Sequence, residues 1–224
     1  APLGIGFSED CLTLNVWRPA NASGKLPVMV WIYGGGFVNG GSSPAVYAGD
    51  AFARQGVVFV SFNYRVGRFG FFAHPALAND PLRGNYGLMD QLAALKWVKN
   101  NITNFNGDPD NVTLFGESAG GFSVNSLLTS KEASGLFQKA IIQSGSGRHS
   151  IVPHQNWQQA EKAGLAFAAK HGVNGNDDKA LEALRHLPAN EVVSGLNMAT
   201  MQSPDYSGPM IDGRIITAEP HELY

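Results

Sequence analysis

The ten residues from Val112 to Gly121 read Val-Thr-Leu-Phe-Gly-Glu-Ser-Ala-Gly-Gly and join an apolar run to a stretch of small residues. The β-branched and apolar run is typical of a buried strand, and the small residues can begin a helix. A Gly-x-Ser-x-Gly pattern in that context indicates a sharp turn that presents a nucleophile, here Ser118. Glycine is expected at positions 116 and 120, because side chains there would crowd each other and the following helix. The alternative is an ordinary Gly- and Ser-rich turn.

Similar strand and helix patterns lie on both sides of this stretch. Strands are predicted at 12–18, 28–33, 57–63 and 140–143, and helices at 50–54, 86–100, 156–170 and 177–187. An interruption of regular secondary structure is predicted at 106–109, before the strand that leads to Ser118. Strands that alternate with helices predict an α/β fold with a mostly parallel sheet flanked by helices. We expect residues 1–150 to form the sheet core, and 151–224 to be a helical region over that sheet rather than a separate domain.

A second glycine-rich stretch, Gly34-Gly35-Gly36, directly follows the strand predicted at 28–33. The carboxyl ends of parallel strands share one sheet edge, so we expect this stretch to meet Ser118 there. Attack of a serine hydroxyl on an ester carbonyl creates an oxyanion that needs N–H donors. The amides of Gly35, Gly36 and Ala119 fit that role. A phosphate-cradling loop is the rival interpretation, but no Gly-x-x-x-x-Gly-Lys-Ser/Thr pattern occurs.

The residues near these two stretches allow more than one role. Glu117 either lines a pocket and adds negative potential or is a buried, hydrogen-bonded carboxylate. Arg65 and Asp90 are predicted to form a structural ion pair. Phe37, which follows the glycines, is predicted to line the substrate pocket. We assign no catalytic role to the histidines that follow Ser118, which are His149, His154, His171, His186 and His221.

Composition and charge exclude several classes of function. The net charge of −2 gives no electrostatic case for nucleic acid or an anionic membrane surface. The apolar runs are shorter than a membrane-spanning helix requires. No metal-ligand spacing and no cofactor motif occurs, so neither a metal nor a cofactor is expected. No signal peptide is visible from Ala1 onward, and the compartment stays open. Cys11 is the one cysteine and has no partner within this sequence.

With these residues in view, the chain resembles the type-B carboxylesterases, a family that includes bacterial p-nitrobenzyl esterases, mammalian carboxylesterases and cholinesterases. The resemblance implies an α/β-hydrolase fold and hydrolysis of small-molecule carboxylic esters through an acyl-enzyme on Ser118. It implies an oxyanion hole of Gly35, Gly36 and Ala119, and Ser144 as a hydrogen-bonding residue behind the catalytic triad. The matching stretches run over most of the chain: 8–17, 30–37, 63–67, 84–91, 112–121 and 143–146.

The chain departs from the family pattern at both of its ends. Family members are typically much longer, and many of them bond the cysteine equivalent to Cys11 to one further upstream. Their triad acid, usually Glu, and their catalytic His lie well beyond the nucleophile. We therefore expect residues 1–224 to be a partial α/β-hydrolase domain, incomplete at both ends, with the remainder of the polypeptide supplying the acid and the His. Alone, the piece is expected to be inactive. A non-catalytic adhesion or binding relative is the alternative function.

Overall fold

The computed structural model describes residues 8–149 and 152–224. Within these residues a five-stranded sheet contains β1 (Leu14–Trp17), β2 (Leu26–Ile32), β3 (Val58–Phe62), β4 (Gly107–Glu117) and β5 (Lys139–Gln143). The spatial order is β1-β3-β2-β4-β5, with β1 antiparallel to β3 and every other neighbouring pair parallel. The predicted mostly parallel sheet is therefore confirmed. The carboxyl ends of β2, β3, β4 and β5 lie at one edge.

Helices connect the strands and continue beyond them. They are α1 (Asp50–Arg54), α2 (Gly67–Gly70), α3 (Tyr86–Asn101), α4 (Ala119–Thr129), α5 (Trp157–Lys170), α6 (Asp178–Arg185), α7 (Ala189–Val193) and α8 (Pro220–Leu223). The helix predicted at 86–100 corresponds to α3, and the one predicted at 50–54 has the bounds of α1. In the part of the chain that the structure describes, no helix is both long and apolar enough to cross a bilayer.

The core fills both faces of the sheet, which is why its central strands read as continuous apolar runs. All five residues of β3 are buried. On one face, α3 contributes Leu88, Leu92, Leu95 and Val98 to the core. Helix α4 lies beside α3 on that face, since Gln91 donates a hydrogen bond to Ser123 at 3.0 Å. The other face carries aromatic residues, and Phe52 of α1 stacks on Phe59 there at 4.8 Å between ring centroids.

The predicted interruption of secondary structure at 106–109 is wrong in its bounds, because most of these residues belong to β4. Asn106 has φ of 63° and ends a short 3-10 helix, Ile102–Phe105, but β4 already begins at Gly107. Gly107 pairs with Leu26, whereas the next registered pair joins Val112 to Val28. Residues 108–111 therefore form an irregularity inside the strand rather than a loop before it. Gly, Asp and Pro also occur at such bulges, so composition alone could not distinguish the two.

The residues after 152 pack on the chain between α2 and α3. Gly164 of α5 lies against the main chain of Ala73. A Cβ at Gly164 would lie 1.7 Å from the Ala73 carbonyl oxygen. A short parallel pair, β6 (Gln155–Asn156) and β7 (Met210–Ile211), was not predicted. Buried Asn85 holds β7 by hydrogen bonds to the carbonyl and amide of Met210, at 2.7 and 3.0 Å. Two residues per strand give too little periodicity to detect in a sequence.

Candidate active site

Ser118 occupies the turn between β4 and α4 in a backbone conformation that few side chains adopt. Its φ and ψ are 54° and −122°, a region that costs about 1–3 kcal/mol for a residue with a side chain. The main chain is held on both sides, because the Ser118 amide donates to the Gln143 carbonyl and the Ser118 carbonyl accepts from the Phe122 amide, each at 2.9 Å. The serine predicted from the Gly-x-Ser-x-Gly pattern thus lies on a sharp strand-to-helix turn.

Gly116 and Gly120 allow this turn to close. A Cβ on Gly116 would lie 2.6 Å from the carbonyl carbon and oxygen of Gly120. A Cβ on Gly120 would lie 2.0 Å from the carbonyl oxygen of Ile32, at the end of β2. The prediction that these two positions crowd each other is confirmed. The structure adds the end of β2 as a neighbour that the pattern alone did not reveal.

The glycine-rich loop after β2 meets this turn at Gly34. A Cβ on Gly34 would lie 2.7 Å from the carbonyl oxygen of Glu117 and 3.1 Å from Cβ of Ser118. The approach follows from the parallel pairing of β2 with β4, in which Ile32 lies opposite Gly116. The expected meeting of the two stretches at one sheet edge is confirmed.

The rest of that loop turns sharply through three consecutive residues with positive φ. The values are 118° at Gly35, 63° at Gly36 and 60° at Phe37. The Gly35 carbonyl accepts from the amides of Val38 and Asn39, each at 3.1 Å, which closes the turn. Phe37 is half-buried and packs edge-on against Phe71, with 5.2 Å between ring centroids. Its role in a substrate pocket stays a prediction.

Two methionine side chains lie against Gly36 and were missed in the sequence. The sulfur atoms of Met198 and Met201 would each be 2.9 Å from a Cβ on Gly36. Both methionines are partly exposed, at 48% and 37%. They belong to residues 192–206, which run from the end of α7 to shortly before β7 and which we call the 192–206 segment. No local pattern marks them, because the contact joins parts of the chain that are far apart in sequence.

Glu117 and Ser144 lie at the ends of neighbouring strands. The Glu117 side chain is exposed in this structure, and both interpretations of its role stay predictions. Ser144 is also exposed and has φ of 52°. It precedes Gly145, where a Cβ would lie 2.2 Å from the carbonyl carbon of Gly121 in α4. The close packing holds the Ser144 main chain near the Ser118 turn, and the hydrogen-bonding role of its side chain stays a prediction.

Comparison with known proteins places this arrangement in a family. A family model described as the carboxylesterase family matches residues 2–224. The chain belongs to the carboxylesterase family. It is 43% identical over 221 residues to fumonisin B1 esterase of Sphingopyxis macrogoltabida. It is 42% identical over 221 residues to para-nitrobenzyl esterase of Bacillus subtilis (strain 168).

These alignments cover most of this chain but less than half of either relative. They include 94% of the chain and 38% of the fumonisin B1 esterase, and 96% of the chain and 43% of the para-nitrobenzyl esterase. The family match confirms the resemblance drawn from the motifs. It also confirms the α/β-hydrolase fold, to which the mostly parallel sheet and its flanking helices conform.

The predicted ion pair of this carboxylesterase-family chain is also confirmed. Arg65 donates to Asp90 through Nε at 2.9 Å and Nη2 at 3.0 Å, and its amide donates to the same carboxylate at 3.0 Å. Asp90 lies on α3 and is buried. The pair therefore ties the loop after β3 to the helix that covers the sheet, which is a structural role.

A second, deeper ion pair was missed in the sequence. Arg68 of α2 is 5% exposed, and its Nη2 donates to the carboxylate of Asp205 at 2.8 Å. Lys170 donates to the same carboxylate at 2.8 Å, and the Ser203 hydroxyl donates to its other oxygen. The guanidinium also lies over the ring of Phe167, 4.3 Å from its centroid. The network fixes the end of the 192–206 segment on α2.

We expect the stability that Asp205 supplies to be lost in acid. Burial raises the pKa of Asp205, but hydrogen bonds from Lys170 and Ser203 and the charge of Arg68 outweigh it and lower the pKa to about 2. The unfolded chain therefore binds the proton first, and the ionised carboxylate stabilises the fold by about 2 kcal/mol above pH 5. About half of that contribution should disappear between pH 5 and pH 3. Urea unfolding followed by tryptophan fluorescence at both pH values measures it.

The variant Asp205→Asn isolates this effect. It should be less stable than the parent at neutral pH, because Arg68 keeps its charge without an ionised partner. Its free energy of unfolding should then fall by about 1 kcal/mol less than that of the parent between pH 5 and pH 3. Asp178→Asn removes an exposed carboxylate and should leave the parent's pH dependence unchanged. An equal acid-induced loss in the parent and in Asp205→Asn would contradict the prediction.

The histidines after Ser118 have other partners in the described residues. The Glu219 carboxylate accepts a hydrogen bond from the His154 amide at 2.6 Å and lies 3.3 Å from His154 Nδ1. His149 and His221 stack with 5.7 Å between ring centroids. Among residues 8–149 and 152–224, no cluster of three His, Cys, Asp or Glu side chains could hold a metal ion. Cys11 is a free thiol in the part of the chain that the structure describes.

Proposed function

We propose that the complete protein hydrolyses carboxylic esters through an acyl-enzyme on Ser118. The Ser118 hydroxyl would attack the ester carbonyl and give its proton to a base. The tetrahedral intermediate would collapse with loss of the alcohol, which takes up that proton. A water molecule would then add to the acyl-enzyme and release the carboxylic acid and the free serine. No cofactor or metal is needed in this sequence of steps.

The oxyanion of each tetrahedral intermediate needs preorganised donors. We assign this role to the amides of Ala119, Gly35 and Gly36. The amide that follows a nucleophile on such a turn and the amides of a glycine-rich loop commonly share this task. Loss of one such donor typically costs about 3–4 kcal/mol of transition-state stabilisation. Glycine suits positions 35 and 36, where φ is 118° and 63°, because it permits these angles.

One observation carries the proposal: Ser118 has a strained backbone, and Gly34 lies directly against it. A serine that served only as a turn residue would be expected in a relaxed conformation, because strain needs support from the surrounding packing. Here that support comes from glycines at positions 34, 116 and 120, each with a backbone atom within 3 Å of where a Cβ would lie. The names of the two relatives, both esterases, point to the same chemistry.

We propose that the base is a His oriented by a Glu, both in the remainder of the polypeptide. This assignment rests on the family resemblance. The chain spans about two fifths of the length of the two relatives, 38% and 43%. Glu117 is exposed beside Ser118 and is free to contribute negative potential to a pocket.

Covalent labelling of the complete protein tests the proposal. A fluorophosphonate probe should modify Ser118, identified by mass spectrometry of the peptide that contains it, and p-nitrophenyl and p-nitrobenzyl esters should be hydrolysed. Preincubation with the probe should abolish both activities in proportion to the fraction of protein labelled. An intact, folded protein that is neither labelled nor active would overturn the proposal and favour a non-catalytic binding role.

A further inference from the structure

Tyr206 contacts the end of the glycine-rich loop although it lies far from that loop in sequence. Its hydroxyl donates a hydrogen bond to the main-chain carbonyl of Phe37 at 2.9 Å. The Gly67 amide donates to the same carbonyl at 2.6 Å. Two donors use both lone pairs of that oxygen, so the carbonyl is fixed in direction. Tyr206 is 3% exposed, and burial raises its pKa, so the hydroxyl keeps its proton.

The position of this carbonyl matters because the preceding residues carry the candidate oxyanion donors. Gly36 and Phe37 both have left-handed backbones, with φ of 63° and 60°. Such a turn is not the preferred conformation of Phe and needs support from outside. At the start of the turn, the Gly35 carbonyl accepts hydrogen bonds from the amides of Val38 and Asn39. At its end, Tyr206 and Gly67 hold the Phe37 carbonyl. The amides of Gly36 and Phe37, which lie between the Gly35 and Phe37 carbonyls, therefore have little freedom to reorient.

Tyr206 is itself held in place through Asp205, the preceding residue, which is bound by Arg68. Arg68 makes four hydrogen bonds to the 192–206 segment. They go to the carbonyls of Val192, Ser194 and Asp205 and to the Asp205 carboxylate, at 2.9, 3.0, 3.1 and 2.8 Å. Both ends of the segment therefore attach to one buried guanidinium. Arg68 follows Gly67, so a single short helix, α2, supplies both the Gly67 amide and the anchor for Tyr206.

We propose that Tyr206 is a positioning residue that holds the oxyanion-binding loop in its working geometry, with Arg68 and Asp205 as its support. The inference rests on the proposed function, since it assigns the loop amides to the oxyanion. Donors that are already aligned lower the barrier without any reorganisation during the reaction. A loop freed at Phe37 would have to be reoriented in each turnover. The loss should therefore fall on the transition state and spare substrate binding.

The variant Tyr206→Phe in the complete protein tests this assignment, since it removes one hydrogen bond and keeps the ring. We expect kcat for p-nitrophenyl butyrate to fall about tenfold with KM nearly unchanged. The affinity for a trifluoromethyl ketone, which forms a tetrahedral adduct with a serine, should fall by a similar factor. The variant Tyr86→Phe removes a phenol hydroxyl from α3 and should leave all of these constants unchanged.

Arg68→Lys provides a second measurement, because lysine keeps the charge but lacks the planar fork that reaches four acceptors. It should lower kcat in the same way, and the double variant Arg68→Lys/Tyr206→Phe should lose less than the product of the two single losses. Unchanged kcat and ketone affinity in folded Tyr206→Phe would overturn the inference, as would a loss confined to KM. Failure of the proposed function would appear differently, as a parent protein that is neither labelled nor active, or as activity above about 1% of the parent in Ser118→Ala.

Discussion

Replacing Ser118 by alanine should abolish ester hydrolysis by the complete protein, with kcat lower by about 10⁴-fold or more. Alanine keeps Cβ and so keeps the packing of the turn, but it has no oxygen to attack the substrate. The residual rate would come from binding and from the loop donors alone. Alanine tolerates φ of 54° no better and no worse than serine. The free energy of unfolding should therefore change by less than about 0.5 kcal/mol.

Three measurements distinguish a chemical role for Ser118 from a structural one. They are the steady-state hydrolysis of p-nitrophenyl butyrate, fluorophosphonate labelling and urea unfolding. Ser134→Ala is the matched control, because Ser134 is an exposed serine that follows a short 3-10 helix. It should retain the activity, labelling and stability of the parent. Activity above about 1% of the parent in Ser118→Ala would show that another residue is the nucleophile.

The parts of the fold that could be predicted are those set by local sequence. The apolar run at Val58–Phe62 lies in a strand buried on both sides, and the spacing of Leu88, Leu92 and Leu95 marks one face of α3. The crowding of Gly116 and Gly120 could also be predicted, because it arises within five residues of chain. Periodicity and turn chemistry are short-range properties, and a single sequence carries them.

The features that could not be predicted depend on contacts between distant residues. The Asp205 carboxylate lies 137 positions from Arg68, its partner, and Phe37 lies 169 positions from Tyr206. The sequence around Arg68 gives no sign of which carboxylate the guanidinium meets. The exposure of Glu117 likewise depends on what lies over the strand ends. For the candidate site, sequence therefore predicts the nucleophile and the glycine-rich loop, and the structure adds the residues that hold the loop.

Replacing Gly120 by alanine should destabilise the fold by about 3 kcal/mol or more. The new Cβ would lie 2.0 Å from the Ile32 carbonyl oxygen and 3.0 Å from the carbonyl carbon of Tyr33. Both atoms belong to the main chain at the end of β2, so no flexible side chain can move aside. Helix α4 would have to shift away from the sheet.

Such a shift should also reduce activity, because α4 begins at Ala119 and carries that amide with it. The measurement is urea unfolding of Gly120→Ala together with its kcat for p-nitrophenyl butyrate. Gly147→Ala is the matched control, since no atom of the described residues lies within 4 Å of a Cβ at that position. It should change the free energy of unfolding by less than about 0.5 kcal/mol. If Gly120→Ala were as stable and active as Gly147→Ala, close contact between α4 and the end of β2 would not be needed for the Ser118 turn.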